Sequence, residues 1–534
     1  ACMGLLAVGA CVLGAEAGDR PRLLPAWMGG LLPFAVVSIA AAACRAHALD
    51  EASDAGALIL AALVGRRLAS EPRVREALIG LLVALACVAA LRATLQHHLI
   101  YPIEARALRA GSGEVSALIL ARLEAGRPSG PFTLPAALGG FLAMTLPLTL
   151  ALTRRSRRGA AARAGIVLAA LLQGYALFLT RSIGALVATT ISMALALPFL
   201  APRCAAALRW GVLVLAVAGA AFFLHARRVE IGSPGADPFL LRAGNWRAAV
   251  RMIRDHPLFG TGPGSFGTFY PRYIEPGMNE TRYAHNSYLQ VLSGWGAWAI
   301  VPLALFAGAF GARLRPAWRA GGADLPVLAA GAAFLAHNLV DFTAFLPGVA
   351  LPAGLLLGAG MGPGQPCDRG AAAPRPDAGP PTAAARAAQR APAVLTVALA
   401  LALSTHAAVS ALSRNLLERA GETAVAGDAQ ESLHLARAAA RRRPGDPAPP
   451  AFIAEWVLAH GMHDAGLREE GERAALRAAR LDPESAIRHF TVSLYHKAAG
   501  RPADAYRELR AAHLLYPLKD LYRAGTRTAG AEKP

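Results

Sequence analysis

The sequence predicts an all-α protein, a polytopic membrane helix bundle of about 12 spans with a large extracytoplasmic loop and a C-terminal helical-repeat domain. Three observations carry this prediction. Of 534 residues, 55% are hydrophobic and the mean hydropathy is +0.39, with apolar runs of ~20 residues, the length that crosses a hydrocarbon core, recurring through the first 362 positions. One long polar stretch, residues 226–285, interrupts that ladder. Past residue 412 the chain becomes polar and helix-periodic, with Pro483 and Pro517 spaced 34 positions apart.

Spans are expected near 2–16, 27–47, 54–66, 77–96, 132–153, 162–180, 182–201, 207–225, 286–311, 324–340, 343–362 and 391–409. The opening run ACMGLLAVGACVLGA has no basic leader or clear cleavage site and reads as a first span, not as a signal peptide. Arg20 and Arg22, Arg66, Arg67, Arg73 and Arg75, Arg154, Arg155, Arg157 and Arg158, and Arg313, Arg315 and Arg319 all fall on one side of the alternation. The positive-inside rule assigns that side to the cytoplasm. The loops 97–131 and 226–285, the turn at Arg181 and everything past residue 410 then lie on the opposite face, the periplasmic side of a bacterial inner membrane. That placement excludes most nucleotide-using chemistry and favours lipid-linked substrates.

Lys and Arg outnumber Asp and Glu by 54 to 35, a net charge of +19. In a soluble chain this would suggest nucleic acid. Here the arginines gather at span ends, beside anionic headgroups, so membrane lipids are the expected partner and nucleic acid is not. The six cysteines are scattered with no C-x-x-C pair, indicating neither a zinc site nor a disulfide framework.

Residues 1–362 are expected to form the catalytic bundle, 363–391 a Pro/Ala/Gly-rich linker, 391–411 a final span and 412–534 the tail. Paired helices closed by Pro483 and Pro517, with Ala475, Ala479, Gly500, Ala503, Ala505 and Ala512 as small packing residues, resemble tetratricopeptide repeats. An earlier unit would end at Pro444, and an ordinary helical bundle is the alternative. Either way the tail offers a surface for a protein partner and no catalytic constellation.

The chemistry is expected in the loop. From Asn245 to Arg254, Trp246, Ala249, Val250 and Ile253 share one helical face, and Arg247, Arg251 and Arg254 share the other, a solvated face touching lipid phosphates. Arg242 falls on the apolar side, where an unpaired charge is costly, so it is expected to face an anion. Asp255-His256-Pro257 ends the helix, with His256 structural. In GTGPGSFG the glycines match G-x-G-x-x-G without the strand and helix a dinucleotide site needs, so a tight turn with amides aimed at an anion is expected instead. His285 stands where the loop re-enters the membrane and is placed to take a proton from an acceptor hydroxyl. A histidine merely hydrogen-bonded at a helix start is the alternative. Arg127, Arg181, and His337 with Asp341 one helical turn on, are expected at the same face. Guanidinium groups suit a diphosphate. Asp341 alone cannot hold a metal, so no metal or cofactor is expected.

The block R-x-x-N-W-x-x-A-x-x-M-I-x-D-H-P-L-x-G-x-G-x-G-x-F from Arg242, then Tyr270-Pro271-x-Tyr273 and Ala284-His285-Asn286-x-Tyr288-Leu289-Gln290, resembles the O-antigen ligase and polymerase family. RPSGPFTLPAALGGFLA from Arg127 and LVDF after His337 are similar to further family stretches, and the likeness covers about residues 1–362. Where many members read S-R-G-A this chain has Ser182-Ile183-Gly184-Ala185, with Arg181 two positions early, and Pro135-Ala136 stands where P-N is common.

The resemblance implies a metal-independent inverting glycosyltransferase. Its donor would be a polyprenyl-diphosphate-linked glycan and its acceptor lipid A core, a growing polysaccharide or a protein. Arg242 and Arg127, with Arg181, would bind the diphosphate and His285 would act on the acceptor, with His337, Asp341, Asn286 and Tyr270 in support. Two rivals remain at this level. A transporter or flippase of lipid-linked glycan would use the same arginines without making a bond, and a membrane-anchored scaffold would work through its tail alone.

Overall fold

The computed structural model describes residues 33–110, 117–155, 159–205, 238–362 and 383–523, with scattered positions between 208 and 221; over 383–400 it describes the backbone alone. Every regular element among the described residues is helical. After a helical stretch at 33–40 come α1 (Arg45–Leu68) and α2 (Pro72–Leu95), and α2 passes through a π-turn (Gln96–Ile100) into α3 (Tyr101–Ala110). Then follow α4 (Ala117–Glu124), α5 (Pro135–Arg155), α6 (Ala160–Leu179) and α7 (Ile183–Leu200).

Among the described residues, five helical segments are long and apolar enough to cross a membrane: Pro72–Ala110, Pro135–Arg154, Ala160–Leu179, Ile183–Leu200 and Ala297–Ala320. They correspond to the expected spans 77–96, 132–153, 162–180, 182–201 and 286–311. The last of these is not one helix. Gly296 (φ 92) divides α10 (Ser287–Trp295) from a 3-10 turn and α11 (Ile300–Ala320). The expected spans 324–340 and 343–362 are the short helices α12 (Leu325–His337) and α13 (Pro347–Gly360), of 13 and 14 residues. At ~1.5 Å per residue each reaches only ~20 Å, less than a ~30 Å hydrocarbon core. A non-helical turn at 41–44 interrupts the expected span 27–47, and α1, beginning at Arg45, runs through the whole of the expected span 54–66. The expected span 2–16 lies outside the described residues, and most of 207–225 does too.

The bundle has two chemically distinct ends. At one, Arg75 at the start of α2 pairs with Asp324 at the start of α12 at 2.5 Å, Arg154 at the end of α5 donates to the Leu200 carbonyl at the end of α7, and Arg313 reaches the Gly362 carbonyl. At the other lie the π-turn, the 126–130 loop, the 180–182 turn and the end of α12. Between them runs a core of Leu138, Phe141, Leu142, Met144, Val327, Leu328, Phe334, Leu356 and their neighbours. The arginine-rich connections and the candidate site residues therefore occupy opposite ends of the same helices.

The loop has a core of its own. α8 (Pro238–Asp255) and α9 (Phe266–Tyr273) bury Ala248, Ala249, Met252, Phe266, Phe269, Tyr270 and Ile274 together. The helix expected from Asn245 begins seven residues earlier, and its buried face differs from the expected one because Val250 stays 47% exposed. Arg247, Arg251 and Arg254 lie on an exposed face as expected, and two of them also grip Glu275, Arg247 at 2.6 Å and Arg251 at 2.7 Å. Their side chains hold the Glu275 carboxyl below its usual range, chiefly through the hydrogen bonds from Arg247.

The described end of the expected linker, from residue 383, is already helical. α14 (Ala383–Val425) runs 43 residues without a break through the expected span 391–409 and past the expected boundary at 412. It then pairs with α15 (Ala429–Arg442), α16 (Ala448–His460) with α17 (Ala465–Leu481), and α18 (Ala486–Ala498) with α19 (Pro502–Leu515). Asp428 and Asp464 cap α15 and α17 by accepting from Glu431 N and Leu467 N, and Pro444, Pro483 and Pro517 each stand two residues past a helix end. Ala475 and Ala512 pack inside these hairpins as expected. Gly500 does not: it is an exposed turn residue at φ 70, and Ala503 is exposed as well.

Candidate functional site

The site is assembled where α10 begins. Asn286 caps that helix, its side-chain oxygen accepting from Tyr288 N and Leu289 N. This cap throws the preceding residue out of line. His285 adopts φ 53, and among the described residues Arg181 (φ 49) is the one other non-glycine with positive φ. Such backbone costs on the order of 1–3 kcal/mol and persists where surroundings over-determine it, commonly at functional sites. Trp246 Nε1 donates to the His285 carbonyl at 3.3 Å, and the imidazole stands edge-on to Phe342, centroids 4.8 Å apart.

Arg242, on the first turns of α8, faces Asp341: Nη2 to Oδ2 is 3.7 Å, with the arginine side chain 25% exposed and the carboxylate 4%. The anion expected opposite Arg242 is in part a carboxylate of this chain. That contact is long for a strong ion pair. Arg242 Nε and His285 Nδ1 are buried with no hydrogen-bond partner among the described residues, and a buried donor in that state costs about 1–3 kcal/mol unless a ligand or water satisfies it. Both side chains line one cavity of about 260 Å³, together with Asn245, Asn279, Glu280 and Thr281.

Asp341 is positioned by its own segment. Its Oδ1 accepts from Phe342 N at 2.8 Å, and its carbonyl accepts from Ser287 N and Ser287 Oγ at 3.1 and 3.2 Å. His337, expected at the same face, is instead sealed in the bundle at 0% exposure, with Nδ1 3.2 Å from Thr343 Oγ1. It sits between α5 and α7, where the absent side chain of Gly140 makes room for its ring and that of Gly184 makes room for Val340 beside it. His337 is therefore a packing residue joining three helices and does not line the cavity.

Arg127 and Arg181 are brought to one place: Arg127 Nε donates to the Thr180 carbonyl at 3.0 Å, beside the strained Arg181. The π-turn holds the Arg127 loop on both flanks, Gln96 exchanging two hydrogen bonds with Gly130 and His97 Nδ1 lying 2.6 Å from the Gly126 carbonyl. The two arginines lie at the same end of the bundle as Arg242 and His285 and do not line their cavity.

Tyr270 is buried and donates to Asn245 Oδ1 at 2.7 Å, so it steadies a cavity residue. Burial pushes its hydroxyl up to about 12. The glycine turn does aim an amide, but at a buried carboxyl of this chain: Gly264 N (φ 73) donates to Glu51 Oε2 at 2.9 Å, and Trp295 Nε1 donates to the other oxygen at 3.1 Å. Asn279, Glu280 and Thr281 were not singled out from sequence. The available signal was a polar Asn-Glu-Thr run four to six positions ahead of His285.

Burial, with a smaller contribution from the Arg242 charge, holds the His285 imidazole below its ordinary 6.5, opposed by Asp341. His285 is thus the free base at neutral pH. If a neutral imidazole carries the reaction, the acid limb of kcat/KM against pH lies below 6.5, because protonation waits until pH falls through the lowered pKa. Asp341→Asn removes the attraction that favours the cation and moves that limb lower still. An acid limb at or above 6.5 in wild type would contradict this assignment.

A family model described as O-antigen ligase matches residues 168–304 of the chain. No curated protein matches it. The matched stretch holds Arg181, Arg242, Tyr270, His285 and Asn286, and leaves out Arg127, His337 and Asp341. Over these 137 residues, from α6 into the start of α11, the chain carries the O-antigen ligase domain that its loop motifs resemble.

Proposed function

We propose that this protein transfers a glycan from a polyprenyl-diphosphate carrier to an acceptor hydroxyl on the extracytoplasmic face of the membrane. The observation that carries the proposal is the pairing of Arg242 with a neutral His285 in one cavity, inside the O-antigen ligase domain. His285 takes the acceptor proton as the oxygen attacks the anomeric carbon from the face opposite the leaving group. The bond from that carbon to the diphosphate oxygen breaks with inversion, and Arg242 stabilises the charge that develops on the diphosphate. Arg127 and Arg181, adjacent at the same end, bind the donor's diphosphate before reaction. Asp341 keeps Arg242 aimed while no donor is bound.

The separation of the arginine-rich end from the site end supports a periplasmic site, with the matched domain in an inner membrane of about 12 spans. The long α14 would then cross as the last span and continue into a tail of tetratricopeptide type. The test is transfer by purified protein from a polyprenyl-diphosphate oligosaccharide to lipid A core, to a second donor molecule or to an acceptor protein, with chelator present. Product whose new linkage has inverted anomeric configuration is the expected result. A donor that binds and is never consumed with any acceptor would instead favour a carrier of lipid-linked glycan.

A further inference from the structure

Glu280 joins two parts of the molecule. It is one of the residues lining the cavity of Arg242 and His285. It is also held by the tail: Tyr516 donates to Glu280 Oε1 at 3.1 Å and Lys519 Nζ lies 3.0 Å from the same oxygen, although these residues are 236 and 239 positions away. A second bridge stands alongside, where Arg272 pairs with Glu484 while its guanidinium lies 5.1 Å over the Phe269 ring. The tail is therefore seated on the catalytic loop at the rim of the cavity.

The residues near that rim, Asn245, Asn279, Glu280 and Thr281, are all polar, two of them amides and one a carboxylate. Amides and carboxylates supply the paired donors and acceptors that match neighbouring hydroxyl groups. At about 260 Å³ the cavity is smaller than the roughly 300–1,000 Å³ of drug-sized ligand sites, which suits a single compact polar unit. A long apolar chain would leave Glu280 and the two amides without partners.

We propose that this cavity is a subsite for one sugar ring of a glycan substrate, and that Tyr516 and Lys519 of the tail set its shape by fixing Glu280. The proposal rests on the glycosyl-transfer reading and adds to it a recognition element and a role for the tail. Both tail contacts use Oε1, which leaves Oε2 to accept from a ring hydroxyl. Asn245 keeps its amide nitrogen for the same purpose, since its oxygen is taken by Tyr270. A ring seated there lies beside His285, next to the group that would remove the reacting proton. Tyr516 and Lys519 are positioning residues, because they reach the glycan only through Glu280.

The test compares Glu280→Gln, Asn279→Ala, Lys519→Glu and Lys519→Arg in the full-length protein, reading kcat and both KM values. Losing one hydrogen bond to a sugar is expected to raise a single KM by about three- to tenfold with kcat within about twofold. Lys519→Glu follows this pattern because it repels Glu280, and Lys519→Arg stays near wild type because it keeps the charge. A rise confined to the acceptor's KM places the ring in the acceptor, and one confined to the donor's places it in the donor. Calorimetric titration with free hexose and N-acetylhexosamine trisaccharides reads the subsite without turnover, so a failure of the transfer reading is told apart from a failure of this one. Variants that change neither KM nor trisaccharide affinity would overturn the subsite.

Discussion

Arg242→Ala is expected to lower glycan transfer by about 10²–10³-fold at saturating donor and acceptor, the loss seen when one preorganised group facing developing charge is removed. The guanidinium sits on the first turns of α8, buried at Nε and only loosely engaged by Asp341 at 3.7 Å, so its charge is available to a diphosphate. Arg242→Lys is expected to recover little, because an ammonium cannot engage two phosphate oxygens in the same planar geometry. His285→Ala is expected to cost about 10²–10⁴-fold through loss of proton transfer. Initial rates with purified protein check all three. Rates within threefold of wild type for Arg242→Ala and His285→Ala would remove both residues from the mechanism.

The second large effect is on folding. Gly354 and Gly358 on α13 bring that helix onto α1 so closely that a Cβ at Gly358 would lie 1.8 Å from the Ala62 carbonyl oxygen, and one at Gly354 2.6 Å from that of Leu58. Gly65 on α1 meets the Leu355 carbonyl in the same way, at 2.2 Å. Small residues four apart allow such approach between membrane helices, where packing replaces the hydrophobic effect as the force joining them. Gly358→Leu inserts four carbons against backbone that cannot turn aside, at the upper end of the about 1–3 kcal/mol typical of overpacking. The expected result is a melting temperature in detergent lowered by several degrees and reduced membrane yield. A variant that melts with wild type would show that α13 and α1 are not packed in this way.

Much of the fold was legible because the signals are local. Apolar runs mark the long helices, Asn286 marks the start of α10, and Pro444, Pro483 and Pro517 mark helix ends in the tail. Helix length was less legible. Runs near 324–340 and 343–362 are apolar enough for spans, yet the helices are 13 and 14 residues long. Pro347 and the 3-10 turn Thr343–Phe345 set where α13 begins, and His337 needs burial at the end of α12. The Gly354-x-x-x-Gly358 pattern stands in the sequence, but its meaning depends on which helix lies opposite.

Arg242 and His285 could be singled out from sequence because each breaks a local pattern, one as a charge on an apolar helical face and the other as a histidine at a membrane re-entry point. Those two departures, the ladder of apolar segments and the tail's helical rhythm are what the sequence by itself determined. Tertiary structure alone decided the partners: Asp341 for Arg242, Glu51 for the Gly264 amide across 213 positions, Glu275 for Arg247 and Arg251, and Glu280 for Lys519 across 239. The physical reason is range. Periodicity and capping report on neighbours within a turn or two of helix, whereas a charge's partner is chosen by packing between elements far apart in the chain, where many arginines and carboxylates are chemically equivalent until the fold brings two of them together.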